Sequence, residues 1–219
     1  MQNKLVIFDL DGTLCDTLPD LTYYVNVALN KFGYQERTIK QVREFVCAPS
    51  LEFLRLCMGE KEENIQIVNK CHDFYANEYK QSGSPRTRLY NGIEDLIVAL
   101  KQNGCKIVIL TNKTQDQTDV IYNKYIKHLC FDKVIGVKDG VVPKPDPTEI
   151  LKLIKEYNVT KENTFFVGDG DTDVMAALNA GVNLIAVTYG YRDKSMLLSL
   201  GATVFADMPE QIKDLILKE

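Results

Sequence analysis

The stretch from Leu5 to Asp16 constrains this chain most. Leu5-Val6-Ile7-Phe8 is wholly apolar, as a strand buried on both faces of a parallel sheet is, and it breaks abruptly into Asp9-Leu10-Asp11-Gly12-Thr13. Period-two alternation aims Asp9 and Asp11 into one crevice while Leu10 faces away, and in open α/β sheets ligands gather beyond the carboxyl ends of strands. Asp, Gly and Thr are also ordinary turn formers, so the segment gains meaning only from partners at other strand ends.

Downstream of this stretch the pattern is helical for about seventy residues, with no strand expected before Asn103. Pro19 suits a first turn, and Leu21, Tyr24, Val25, Ala28, Leu29 and Phe32 recur at helical spacing until Gly33. Val42, Phe45 and Val46 mark a second helix, Ser50 caps a third through Met58, and Ile65, Val68, Phe74, Tyr75 and Tyr79 lie on a fourth. Gln81 to Pro85 reads as a loop. From Asn91 helices and strands alternate, with strands at 106–110, 134–137, 164–167, 184–187 and 203–206 and helices at 93–100, 116–125, 148–157, 194–200 and from Pro209. The expectation is an α/β protein: a Rossmann-like, doubly wound parallel sheet built from 1–16 and 87–219, with a four-helix domain of residues 17–86 inserted.

Lys and Arg total 26 against 30 Asp and Glu, a formal charge of −4, without the basic cluster that nucleic acid or an anionic membrane would require. A small-molecule partner is the better expectation. No apolar run approaches the ~20 residues that span a bilayer, and the N-terminus enters a strand with no charged-then-apolar leader, so a cytoplasmic protein is expected, as a monomer or homodimer. The six cysteines form no CxxC pair, which argues for reduced packing residues over zinc or disulfides. His72 and His128 stand apart from any acidic motif and read as structural or surface residues.

Three further polar groups fall at expected strand ends: Thr111-Asn112-Lys113, the proline-stiffened Lys144-Pro145-Asp146-Pro147, and Gly168-Asp169-Gly170-Asp171-Thr172-Asp173. Together with DxDGTLxD, from Asp9 to Asp16, they resemble the four motifs of the haloacid dehalogenase-like hydrolases, most closely the phosphoglycolate phosphatase-like branch with a helical cap. That resemblance implies a phosphatase in which Asp9 is the nucleophile that becomes an aspartyl-phosphate and Asp11 protonates the leaving group, then activates water. It also implies that Thr111, with Asn112 beside it, and Lys144 hold the phosphoryl group, while Asp9, Asp11, Asp169 and Asp173 hold Mg²⁺. Independently, hard carboxylate ligands suit Mg²⁺, and a phosphate dianion beside four acids needs such a cation and Lys144 to offset a repulsion of roughly 4 kcal/mol per close pair. Asp171 reads as an acidic helix N-terminus, and Gly170 stands where relatives carry Ser or Thr.

Asp11 favours phosphomonoester hydrolysis, because an alcohol leaving group needs a proton donor. The resemblance makes the inserted helices a mobile cap whose turn, Cys47-Ala48-Pro49-Ser50, contacts substrate; the family's usual glycine is missing there. Arg43 and Arg55 flank that turn and are expected to be solvated, although either could pair with a substrate carboxylate, and Cys47 is expected to pack. Phosphoglycolate is the leading substrate. A β-phosphoglucomutase-like isomerase and a catalytically silent phosphate-binding protein are the alternatives. A cis Lys144–Pro145 peptide is a further expectation, from a lysine aimed into a crevice by a Pro-Asp-Pro loop.

Overall fold

The computed structural model describes residues 3–217, so the outermost residues of the expected core segments 1–16 and 87–219 lie outside the described ones. The chain runs β1 (Leu5–Phe8), β2 (Cys15–Asp16), α1 (Leu18–Lys31), α2 (Ile39–Phe45), α3 (Ser50–Met58), α4 (Ile65–Ser82) and β3 (Arg88–Leu89). It continues through α5 (Ile93–Gln102), β4 (Lys106–Thr114), α6 (Gln115–Ile121), β5 (Lys133–Val137), α7 (Thr148–Tyr157), β6 (Thr164–Gly168), α8 (Asp171–Ala180) and β7 (Asn183–Val187), and ends in α9 (Lys194–Ser199), β8 (Phe205–Ala206) and α10 (Pro209–Leu217).

Six parallel strands form the main sheet in the order β5-β4-β1-β6-β7-β8, with β1 at the point where the winding reverses. Both faces of this sheet are apolar. Val6, Phe8, Ile107, Ile109 and Val167 pack in one core, and Leu5, Ile7, Val108, Leu110 and Phe166 in the other, which is why these strands read as unbroken hydrophobic runs. Phe8 pairs in register with both Ile109 and Val167, so the residues following all three strands converge on one crevice.

Helices α1 to α4 have their own core of Leu21, Val25, Ala28, Leu29, Phe53, Leu54, Val68, Tyr75 and Tyr79, joined by Tyr191 from the α/β part. No helix among the described residues is long and apolar enough to cross a membrane.

Four local expectations need correction. First, β2 and β3 pair antiparallel at the two crossings into the helical insertion, inside a stretch expected to hold no strand; two-residue strands are too short to carry a visible period. Second, β4 does not stop at Leu110. Ile107 to Leu110 are apolar, but the ladder with β5 resumes at Thr114 after an irregularity, so Thr111, Asn112 and Lys113 lie within the strand. Third, the expected 116–125 helix is about two α-helical turns followed by a wider π-type turn at Tyr122–Ile126 and a 3-10 turn at Lys127–Leu129. Fourth, Ser50 is the first residue of α3 and not its cap: Pro49 holds the N-cap position, and the Ser50 hydroxyl turns to His72 Nε2 at 2.9 Å.

Candidate active site

The turn after β1 is shaped by Gly12. Its φ of +84° is in the left-handed region, and a Cβ there would lie 2.3 Å from Asp169 Oδ2. Only glycine lets the first acidic loop lie against the third. Gly190, on the loop after β7, meets the other side of Asp169 just as closely, with a virtual Cβ 2.3 Å from the Asp169 Cβ. Asp169 is thus wedged between two backbones. Its oxygens accept from the Thr13 hydroxyl at 2.9 Å and the Tyr191 N–H at 2.7 Å.

Asp9, Asp169 and Asp173 are buried and offer carboxylate oxygens within 4.8 Å of one another. Asp173, at the third position of α8, accepts from the Gly170 N–H at 2.9 Å, and Lys144 Nζ lies 2.6 Å from its other oxygen and 2.8 Å from Asp9 Oδ1. The latter contact is an ion pair without a directed hydrogen bond, which leaves Asp9 Oδ1 a buried acceptor still open to a further partner. Lys144 reaches this point from a loop whose Lys144–Pro145 peptide is cis, as expected. Asn112 fixes that loop with two hydrogen bonds, accepting from the Lys144 N–H at 2.8 Å and donating to the Lys144 carbonyl at 2.9 Å.

Crowding of acids shows in their protonation. Burial, reinforced by Asp173 and only partly opposed by Lys144, pushes Asp9 up to about 7, and burial with Asp173 and Asp9 nearby holds Asp169 well above the carboxylate range. Burial alone would lower the Lys144 pKa; Asp173 and Asp9 outweigh it and raise it. Three buried acids against one lysine fit a hard divalent cation such as Mg²⁺, and the open Asp9 oxygen is where such an ion would find a ligand.

The Asp11 carboxylate is not one of the three clustered ones. It takes the Thr17 hydroxyl and both oxygens lie 3.2 Å from Lys113 Nζ, so the Asp11 side chain is engaged away from the three-acid group. It still lines the same cavity as Asp9, Thr111, Asn112, Lys144 and Asp173.

The opposite wall of the cavity comes from the helices: Leu21, Val46, Cys47, Ala48, Ser50, Phe53 and Tyr75. Of the four expected turn residues, Cys47, Ala48 and Ser50 line the space and Pro49 does not. Cys47 Sγ would be 2.9 Å from a Cβ on residue 170, so the glycine there gives the cap turn room to sit down on the acidic loop. Burial and the neighbouring acids push the Cys47 thiol up, which makes it a packing group and not a nucleophile.

The flanking arginines do not reach the cavity. Arg43 donates to the Tyr191 and Gly190 carbonyls at 2.6 and 3.3 Å, and Arg55 pairs with Glu52 at 2.6 Å. Arg192, which had no motif to single it out, spans the same junction from the core side: it bonds Asp171 at 3.1 Å and the Arg43 and Glu44 carbonyls at 2.8 and 3.1 Å. His128 pairs with Glu94 on the surface.

Acids, a lysine and hydroxyls at the carboxyl ends of a doubly wound sheet, roofed by inserted helices, make the build of a capped α/β hydrolase. The family model for the haloacid dehalogenase-like hydrolases matches residues 6–187, and the chain belongs to that family. It is similar over 97% of its length, at 31% identity, to phosphoglycolate phosphatase 1 of Pseudomonas aeruginosa, covering 78% of that protein. It is also similar over 100% of its length, at 27% identity, to the phosphoglycolate phosphatase of Psychrobacter arcticus, of which it covers 97%. Among solved structures, a predicted phosphoglycolate phosphatase from Haemophilus somnus superposes with a TM-score of 0.85 at 26% identity, covering 98% of each chain.

Proposed function

We propose that this chain is a Mg²⁺-dependent phosphatase of a small organic phosphomonoester, with phosphoglycolate as the first candidate substrate. The observation that carries the reading is Lys144 held between Asp9 and Asp173, with the Asp9 oxygen it pairs with still open to a further partner. The similarity to phosphoglycolate phosphatases along nearly the whole chain supports the substrate class.

In this reading the Asp9 carboxylate attacks phosphorus, and the ester oxygen leaves with a proton from Asp11, forming an aspartyl-phosphate. Asp11, then ionised, takes a proton from a water that attacks the same phosphorus and frees Asp9 and inorganic phosphate. Thr17 and Lys113 hold Asp11 in place for both transfers. Thr111 and Asn112 border the phosphoryl position, and Lys144 neutralises its oxygens. Bound Mg²⁺ supplies positive charge against the phosphoryl group; Asp9, Asp169 and Asp173 are the residues to hold it.

Residues 17–86 act as a lid over this site in the same proposal, because they have a separate core and enter and leave through the β2–β3 pair. The mostly apolar lid wall, Leu21, Val46, Ala48 and Phe53, offers little to the many hydroxyls of a hexose phosphate. Inorganic phosphate release from a panel of phosphate esters, with Mg²⁺ and then with excess EDTA, tests the function. Mg²⁺-dependent release from small esters supports it; interconversion of glucose phosphates, or turnover of nothing, contradicts it.

A further inference from the structure

Two buried side chains lining the cavity, Lys113 and Gln117, have donor capacity that the phosphoryl chemistry leaves over. Lys113 is only 6% exposed, and its ammonium touches Asp11 at 3.2 Å and the Tyr79 ring at 4.7 Å. Asp11 shares its charge with the Thr17 hydroxyl as well, so one carboxylate and one ring face meet an ammonium that has three hydrogens to give. Lysine is almost never buried unless paired, and this pairing leaves donor capacity over. Four residues on, Gln117 opens into the same cavity from α6; it is 2% exposed, and its Nε2 has no hydrogen-bond partner. An orphaned amide donor in a buried cavity is costly, and a ligand that satisfies it removes the cost.

The position of the pair matters. Of the cations lining the cavity, Lys144 is engaged by Asp9 and Asp173 at the phosphoryl end, whereas Lys113 stands beside Asp11, the group that faces the departing oxygen. We infer that Lys113 and Gln117 receive a carboxylate on the leaving group and are the residues that select an acidic ester such as phosphoglycolate over neutral esters of the same size. The inference rests on the phosphatase reading and deepens it. One short leaving group then meets Asp11 with its oxygen and the Lys113–Gln117 pair with its acid. A neutral leaving group of the same size leaves both donors unsatisfied, which is the kind of mismatch that discriminates strongly.

The test compares 2-phosphoglycolate with ethyl phosphate, which carries a methyl group in place of the carboxylate, in the wild type, Gln117→Leu and Lys113→Met. Taking the ratio of kcat/KM within each protein cancels any general loss from disturbing Asp11. The wild type is expected to favour phosphoglycolate by about 10²-fold or more. Gln117→Leu should lower that ratio about tenfold, mainly through KM, and Lys113→Met should lower it further. Unchanged ratios in both variants, or equal turnover of the two esters by the wild type, overturn the inference and leave the phosphatase reading standing. If the wild type hydrolyses neither ester nor any other in the panel, both fall together.

Discussion

The two walls of the cavity are built on opposite plans. The core wall crowds Asp9, Asp11, Asp173, Lys113 and Lys144 into a charged surface whose groups hold one another, helped by the Thr17 hydroxyl and the Gly170 N–H, while the cap wall is mostly apolar: Leu21, Val46, Ala48, Phe53 and Tyr75, with Ser50 among them. Charges are expensive to bury and stay only where partners hold them, so the core wall has little freedom to vary. Apolar side chains can be exchanged for others of similar volume at small cost. Such a division suits a constant phosphoryl chemistry beneath a roof that can be retuned for different leaving groups.

The largest effect on the core wall is expected at Asp9. Asp9→Asn should stay folded and lose more than about 10³-fold in kcat, because the nucleophile is removed. Full turnover by that variant, with deamidation back to Asp excluded by mass spectrometry, would take the chemistry off the core wall.

Metal removal comes next. EDTA should abolish turnover and Mg²⁺ restore it. The same acids predict a stability signature independent of activity. Asp9 sits near 7 when folded against an ordinary 3.8, so between those values the metal-free folded state binds more protons than the unfolded one. The Asp9 contribution to metal-free stability should therefore be greatest at the acid end and fall as pH rises from about 4 to 7, a slope that Asp9→Asn removes. Mg²⁺ should raise Tm most near and above pH 7; a Tm indifferent to Mg²⁺ at that pH would mean that the acid trio does not bind it.

Asp11→Asn should cost about 10² to 10⁴-fold in kcat toward alkyl phosphates, as loss of a general acid does. The deficit should shrink for an aryl ester such as p-nitrophenyl phosphate, whose leaving group needs no proton. An equal loss on both esters would make Asp11 a structural residue only.

The smallest effects belong to the roof and its fastening. Ser50→Ala should reorder the ester panel by a few fold while leaving the Mg²⁺ requirement intact, since Ser50 faces the cavity and His72 but none of the acids. Pro49→Ala should change little, because Pro49 does not line the cavity. Reordering by Pro49→Ala alone would show that backbone shape, more than side-chain contact, sets selectivity.

What could be read from the sequence follows the same division. Strands β1, β4 and β6 announce themselves as apolar runs, and each leads into polar chemistry, so the convergence of Asp9, Thr111 and Asp169 is legible from period and order. Lys144 is legible because prolines flank it and stiffen its loop. Residues that act through shape are not. Lys113 looks like one more turn lysine until β4 is seen to run past Leu110, and Gln117 on a short helix has no signal but its burial. Arg43 and Arg192 fasten α2 to the loop after β7 across nearly 150 residues of sequence, and no local pattern links them. Nothing in the motif that carries Asp11 points to its partner Lys113, which comes from a different strand.

The most direct test of the account is to find where the phosphoryl group goes. Turnover of a phosphomonoester labelled with radioactive phosphorus is quenched in acid after milliseconds, the protein is reduced with borohydride, and the modified peptide is sequenced. The account predicts an acid-stable, hydroxylamine-labile phosphoenzyme whose reduction converts Asp9 to homoserine and no other carboxylate. Reduction at a different residue, or turnover at full rate with no trapped phosphoenzyme, would contradict it.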